Sequence, residues 1–310
     1  MSNFRGTTAV ASRRASTGVL TARAARWRSM RLQWHVLTKN NLQKVSLAYI
    51  ILLVLVAITA PWIAPHPESI AGTPSPTEVL QAPSWSHLFG TDEFGRDLFS
   101  RILYGARISL IAGVATTLLS VIVGAFLGVL AAGMRGAVDE IIMRFCDIFL
   151  SFPMIVLAIV IAAFWGSGLT NAIIALSVVG WPFYARLIRG TAVSVRERPY
   201  VRAAQALGAS RASIIFRHIL PSSLGPVLTM ASLSVGSTVL MLSAMSFLGV
   251  GAQPPTPEWG LLINQSRTYF MTAWWYMVFP GIAITLTVLA FNLLGDGLNE
   301  VVNPRTRGRG

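Results

Sequence analysis

Six apolar runs divide this chain, at 45–63, 108–132, 141–165, 169–187, 224–250 and 275–294. Each is long enough to cross roughly 30 Å of hydrocarbon as a helix. The third opens amphipathically, with Asp139, Glu140, Arg144 and Asp147 ahead of its purely apolar part. Polar stretches separate the runs, and their composition is uneven. The pattern predicts an all-α integral membrane protein with six transmembrane helices.

The stretch 199–221 is an arginine-bearing island between two spans. Pro199 suits the first turn of a helix and Gly208 its C-terminal cap. Ser210 suits the N-cap of a second short helix, which Pro221 is expected to end. Ala203, Ala204, Ala206 and Gly208 leave a small-residue surface that another protein can approach closely. Chemistry alone allows two readings: an amphipathic loop helix on the membrane surface, or a helical knob for a partner protein.

The stretch 64–106 is the other large polar loop. Pro61, Pro65, Pro67, Pro74, Pro76 and Pro83 make its first half irregular. In its second half, Thr91 or Asp92 is a candidate cap for a helix entering the membrane. Asp97 and Arg101 have the spacing of a helical ion pair. Asp92, Glu93 and Asp97 lack the pattern of a calcium loop, so a salt-bridged external helix is expected there.

Charge orients the spans. Residues 1–44 hold nine Lys or Arg and no acid, a cytoplasmic flank that also suits anionic lipid. The 186–221 stretch carries seven arginines against Glu197 alone, and Arg305, Arg307 and Arg309 close the chain. Glu68, Glu78, Asp92, Glu93, Asp97 and Glu258 lie in 64–106 and 251–274. Both termini are therefore expected in the cytoplasm. Trp274, Trp275 and Tyr276 read as an interfacial belt at the outer end of the last span.

Composition agrees. Of 310 residues, 54% are hydrophobic and only 12% charged, about half the charge of a soluble domain. The net charge of +13 sits in membrane flanks. No folded basic module accompanies it, so no nucleic-acid partner is expected. The single cysteine, Cys146, falls in an apolar run and reads as a small buried hydrophobe.

No nucleotide-binding glycine loop is present, and the only lysines, Lys39 and Lys44, lie outside any glycine-rich turn. No catalytic residue, bound cofactor or metal site is expected. His35, His66, His87 and His218 are scattered in loops or at span edges. Arg144 and Asp147, three residues apart near the inner end of their span, are expected to form an intramembrane ion pair. The segment 249–260, with Pro254, Pro255 and Pro257, is a stiff turn between the last two spans. It reads as a connector or as part of a gate.

Two sets of motifs resemble a known family. Ala203, Ala204, Gly208, Leu220 and Pro221 are similar to the "EAA" loop of ABC-importer permeases, with Arg202 where that family has Glu. Gly90-Thr91-Asp92, Gly95-Arg96-Asp97, Ser100-Arg101 and Gly105-Ala106-Arg107 resemble the second permease subunit of dipeptide/oligopeptide ABC importers. So do Ser246-Phe247-Leu248-Gly249, the block from Gln253 to Gly260, and the block from Phe291 to Leu298. The match spans about residues 45–305.

The resemblance implies a type I ABC importer permease fold in the cell inner membrane, with a permease core at 107–300 and cytoplasmic tails at 1–44 and 301–310. Its partners would be a homologous permease subunit, two ABC ATPase subunits and an extracytoplasmic substrate-binding protein. ATP and Mg would be bound by the ATPases, so the chain itself is no enzyme. Within the coupling loop at 196–221, Arg202, Ala203, Ala204, Gln205, Leu207, Gly208, Ala209 and Ser210 would meet an ATPase. Gln253, Pro254, Pro255, Glu258 and Trp259 would lie at the outer gate or against the binding protein. The cargo would be a di- or oligopeptide, with nickel and glutathione as the family's other solutes. A stand-alone carrier would instead need charges at the membrane midplane and an inverted repeat, and a scaffold would need no gate.

Overall fold

The computed structural model describes residues 40–134 and 136–302. The expectations for the basic tail before Asn40 and for the arginines beyond 302 fall outside these residues. Among the described residues the regular structure is helical, with one isolated bridge, Thr91 to Asp97.

Helix α1 (Asn41–Ile63) starts where the Asn40 side chain accepts from the Leu42 amide at 3.1 Å. Ile51, Leu52, Leu55 and Ile58 on it are more than half exposed. In a water-soluble chain such a band would be anomalous, and on a helix long and apolar enough to cross a membrane it suits contact with lipid. The short helix α2 (Pro67–Ala71) opens the following loop. Helix α3 (Leu98–Met134) is 37 residues long, about 55 Å at the helical rise. It begins ten residues ahead of the apolar run because Asp97 caps it, accepting from the Ser100 amide at 2.8 Å.

The third run is broken. Helix α4 (Ala137–Ser151) and helix α5 (Met154–Trp165) meet at 95°. Pro153 removes one amide donor and bars its predecessor from helical geometry. Phe152 is accordingly extended, at φ −98° and ψ 146°. Five single helices are long and apolar enough to cross a membrane, and this bent pair is the sixth candidate.

Helix α6 (Leu169–Arg196) lies parallel to α3, its main neighbour. Ser177 Oγ donates to the Thr116 carbonyl at 3.2 Å midway along both. Toward one end of the pair, Ala132 packs with Ala192 and Val195. Two short helices follow, α7 (Pro199–Ala206) and α8 (Arg211–Ile214). Pro221 does not stop the chain there. A π-turn at Ile215–Ile219 leads straight into α9 (Leu220–Phe247), so Pro221 sits in a first turn where its missing donor is harmless.

Helix α9 runs back past α3, with Val235 and Val239 in the core beside Leu98, Ile102 and Ala106. Helix α10 (Trp259–Ser266) tucks against it, and α11 (Trp274–Val302) returns along it. The hydroxyls of Tyr49 and Thr287, 3.3 Å apart, join α1 to α11. Trp274 is half exposed, as an interfacial belt requires. Trp275 and Tyr276 are buried instead, with Trp275 Nε1 donating to the Thr91 carbonyl at 3.3 Å.

Candidate functional site

At one end of the bundle, α7 and α8 form a protruding knob. Arg198 precedes α7 in an extended conformation and Pro199 occupies its first position. Its C-terminus closes as a Schellman motif. The Ala209 amide donates to the Ala204 carbonyl and the Gly208 amide to the Gln205 carbonyl, both at 3.0 Å. The motif needs a left-handed residue, and Gly208 supplies it at φ +85°. Ser210 then caps α8, accepting from the Ser213 amide at 3.2 Å. These local signals work as the sequence indicates.

The knob has a rigid base and an open face. Val201, Ile214 and Ile219 are buried against Ala132, Ala192 and Val195. Arg196 anchors the base by donating to the Ala132 carbonyl. Arg202, Ala203, Gln205, Leu207, Gly208 and Ser210 are exposed, and Ala204 and Ala209 are half-buried. Leu207, at 89% exposed, is an apolar tip that none of the described residues covers. Arg202 pairs with Glu197, also at the surface.

The opposite end is capped by a buried charged network. Asp92 accepts from Arg96 Nε at 2.7 Å, and Arg101 Nε lies 3.5 Å from the same carboxylate oxygen. Arg101 is fully buried, and its Nη1 donates to the Ser69 carbonyl at 3.2 Å and Nη2 to the Pro255 carbonyl at 3.4 Å. The expected Asp97–Arg101 pair does not form. Asp97 turns instead to the α3 cap and to His87 Nδ1 at 3.0 Å. The expected external helix is thus a folded cap, because Arg101 finds partners far along the chain while Arg96 stays with Asp92.

His66 and His87, read as scattered, lie with ring centroids 4.9 Å apart and planes tilted by 33°, and flank Asp97. Their nitrogens are engaged within the protein. His66 meets Glu68 at 3.1 Å and the Ser86 carbonyl at 3.2 Å, and His87 meets Asp97 and, at 3.6 Å, Glu78. Burial lowers the His66 pKa, but the Ser86 carbonyl, Asp97 and Glu68 outweigh it, and the net shift is upward.

The segment 251–260 closes over this cap. Gln253, Pro254 and Pro255 are exposed, whereas Glu258 and Trp259 are at most 1% exposed. Glu258 caps α10, accepting from the Leu261 amide at 3.0 Å and from Ser243 Oγ at 3.0 Å. Burial pushes its carboxyl upward. Trp259 Nε1 donates to the Ile102 carbonyl at 3.0 Å. Glu258 and Trp259 therefore pin the segment to α3 and α9, and offer no surface to a docking protein.

The expected Arg144–Asp147 pair is also replaced. Arg144 lies 3.6 Å from Glu140, one helical turn away on α4. Asp147 meets Arg186, and Arg189 grips Asp139. Antiparallel packing of α4 on α6 brings these arginines within reach, which spacing along α4 alone does not reveal.

Sequence reasoning missed one further feature. Midway along the spans, a cleft of ≈ 260 Å³ opens between α3, α6 and α9. Thr116, Thr117, Ser120, Tyr184, Ser234, Ser237 and Thr238 give it hydroxyls. A faint signal existed, since Ser234, Ser237, Thr238 and Met241 recur at helical spacing within an apolar run.

Solved structures share this architecture. An inward-facing MetNI methionine ABC transporter, CY5 native crystal form, superposes with a TM-score of 0.53. It covers 66% of this chain and 98% of that one at 20% identity. The SeMet soak form gives 0.54 at 21% identity over 66% of this chain and 96% of that one. The fold is that of an ABC-transporter permease.

Sequence comparison narrows the class. Residues 120–308 match the model of the binding-protein-dependent transport system inner membrane component, and residues 27–83 match the N-terminal TM domain of oligopeptide transport permease C. The probable D,D-dipeptide transport system permease protein DdpC of Escherichia coli (strain K12) is 42% identical, covering 95% of this chain and 97% of the relative. The dipeptide transport system permease protein DppC of Alkalihalophilus pseudofirmus is 44% identical, over 87% and 88%. The glutathione transport system permease protein GsiD of Escherichia coli O157:H7 is 41% identical, over 89% and 90%. The chain belongs to the family of binding-protein-dependent transport system inner membrane components: it is a multi-pass membrane permease.

Proposed function

We propose that this permease carries small peptides, as the second of two permease subunits in an ATP-driven importer. Curated relatives named for D,D-dipeptide, dipeptide and glutathione transport, each above 40% identity, support that cargo class. All three are short peptides.

One observation carries the mechanism: the knob at 199–210 is rigid at its base and bare at its tip. Its partner is an ATPase subunit, which binds ATP and Mg and takes Leu207 and the small face of Ala203, Ala204 and Gly208. A second ATPase subunit serves the homologous permease, and a substrate-binding protein docks at the far end, where Gln253, Pro254 and Pro255 are exposed. The arginines around the knob favour its cytoplasmic placement, with both chain termini on the same side. Closure of the ATPases on ATP moves the knob, and the buried base at Val201, Ile214 and Ile219 transmits the movement to α3, α6 and α9. Coupling needs only that the ATPases bind one arrangement of the spans better than the other.

The test is ATP hydrolysis by the reconstituted complex, with and without its binding protein and a dipeptide. Stimulation that requires both is the expected result. Hydrolysis indifferent to both overturns the peptide reading.

A further inference from the structure

The cap opposite the knob holds two groups of carboxylates, and they are balanced differently. Asp92 and Glu93 are met by arginines. Glu68, Glu78 and Asp97 are met by histidines: His66 lies 3.1 Å from Glu68, and His87 lies 3.0 Å from Asp97 and 3.6 Å from Glu78. An imidazole carries charge only when protonated, so neutral rings leave these three carboxylates without a countercharge. Protonating both rings is no remedy, because cations with centroids 4.9 Å apart repel each other.

The same side chains have the arrangement of a ligand set. One ligand atom from each of His66, His87 and Asp97 lies within 4.8 Å of the other two. Bonds of about 2.0–2.1 Å to a tetrahedral zinc place neighbouring ligands about 3.3 Å apart. His87 Nδ1 and Asp97 Oδ1, at 3.0 Å, are close to that spacing. An ion replacing their shared proton needs only a small outward shift. The outer contacts are also in place. Asp97 Oδ2 accepts from the Ser100 amide at 2.8 Å and the Ser100 hydroxyl at 2.7 Å, which leaves Oδ1 turned to His87. Glu78 faces His87 Nε2, and the Ser86 carbonyl lies 3.2 Å from His66 Nε2. A carboxylate or carbonyl behind each imidazole is what orients a metal-bound histidine. The cluster has a floor and a mouth: the His87 and Asp97 side chains are buried, whereas those of His66 and Glu68 are 32% and 56% exposed.

We propose that His66, His87 and Asp97 bind one divalent transition-metal ion of the zinc class, with Glu68 at the mouth as fourth ligand. Two imidazole nitrogens and two carboxylate oxygens suit zinc, whereas calcium and magnesium take oxygen ligands. Four protein ligands leave no open position, so the site is structural. The ion ties the residue before α2 and the loop around His87 to the start of α3, and so stiffens the cap over which 251–260 closes. The ligands are spread over 66–97 with no short motif, so the spacing that argued against a metal site along the sequence does not apply to the folded cap.

The test uses the assembled complex in detergent, stripped with a chelator, dialysed against zinc chloride and assayed for zinc by mass spectrometry. The wild type should hold one more zinc per copy of this chain than His66→Gln or Asp97→Asn, and zinc should raise its melting temperature by a margin that both variants lose. His66→Cys, which restores a zinc ligand, should keep the ion and so shows that loss in His66→Gln is not misfolding. Glu78→Gln should keep the ion but bind it about 10–100-fold more weakly, as expected for an orienting contact. Calcium or magnesium should not compete. A wild-type complex without chelator-removable zinc, equal zinc in the wild type and both ligand variants, or displacement of zinc by calcium or magnesium would each overturn the proposal.

Discussion

Arg189 holds Asp139 through two nitrogens, Nε to Oδ1 at 2.6 Å and Nη2 to Oδ2 at 2.8 Å. The pair joins α6 to α4 across 50 residues of sequence. It is the best-formed of the ion pairs between these helices, because the guanidinium fork matches the carboxylate. Both side chains are partly exposed, so the coupling is modest, about 1 kcal/mol. A double-mutant cycle with Asp139→Ala and Arg189→Ala, read by thermal unfolding of the detergent-solubilised complex, should return that value. Arg189→Lys should recover only part of it, since lysine cannot make the fork. Strict additivity of the two alanine variants would remove the pair from the account of how α4 is held.

Glu258 gives a pH prediction. It is buried, and burial raises its pKa above the ordinary 4.5. The folded protein therefore keeps a proton that the unfolded chain has lost. Glu258's contribution is most favourable below pH 4.5 and is progressively lost as pH rises through the folded value. Glu258→Gln fixes the neutral form, keeps the cap to Leu261, and should flatten that part of the stability profile. Glu258→Ala should instead cost about 1–3 kcal/mol at every pH, because it strips the α10 cap and leaves Ser243 without its acceptor. Melting of the three proteins across pH separates these outcomes. An unchanged slope in Glu258→Gln would show that the carboxyl does not titrate differently on folding.

Gly260 tests the closure over the cap. A Cβ there would sit 2.1 Å from the Ser243 carbonyl oxygen. The neighbour is helix backbone and cannot swing aside, so Gly260→Ala should force α10 away from α9 at about 1–3 kcal/mol. Trp259 should lose its bond to the Ile102 carbonyl in the same movement, seen as a shift in tryptophan emission. Native emission and melting in Gly260→Ala would contradict the close approach.

How much of this was readable in the sequence divides along contact range. The spans were legible because lipid-facing helices announce themselves by composition, and the helix caps around Pro199, Gly208 and Ser210 because caps are local. The break at Phe152–Pro153 was written in a single proline, yet the run around it is apolar throughout, and hydropathy carries no term for a missing amide. Arg101 was misassigned because its partners, Ser69 and Pro255, lie 32 and 154 residues away. Glu258 and Trp259 were read as loop residues from the prolines before them, and only packing on α3 and α9 buries them. Asp147 and Tyr184 needed α6 against α4 and α9 before their surroundings existed at all.

Gly208 is the sharpest test of the knob. Its φ of +85° is one that L side chains rarely adopt, while a Cβ there would meet nothing within 4 Å. Substitution therefore acts first through the backbone, at about 1–2 kcal/mol, and not through a clash within the chain. Asparagine tolerates this conformation and valine does not. Gly208→Asn should keep α7 and its cap, Gly208→Val should fray them, and Gly208→Asp should keep the turn while placing bulk and charge on the small face. Insertion and α6–α9 packing should survive in all three, because the buried base at Val201, Ile214 and Ile219 is untouched. Co-purification with the ATPase subunits is the readout: near normal for Gly208→Asn, and lost or strongly reduced for Gly208→Asp and Gly208→Val. If Gly208→Asp bound its ATPases and transported normally, the face formed by Ala203, Ala204 and Gly208 would not be the contact, and the knob would need another role.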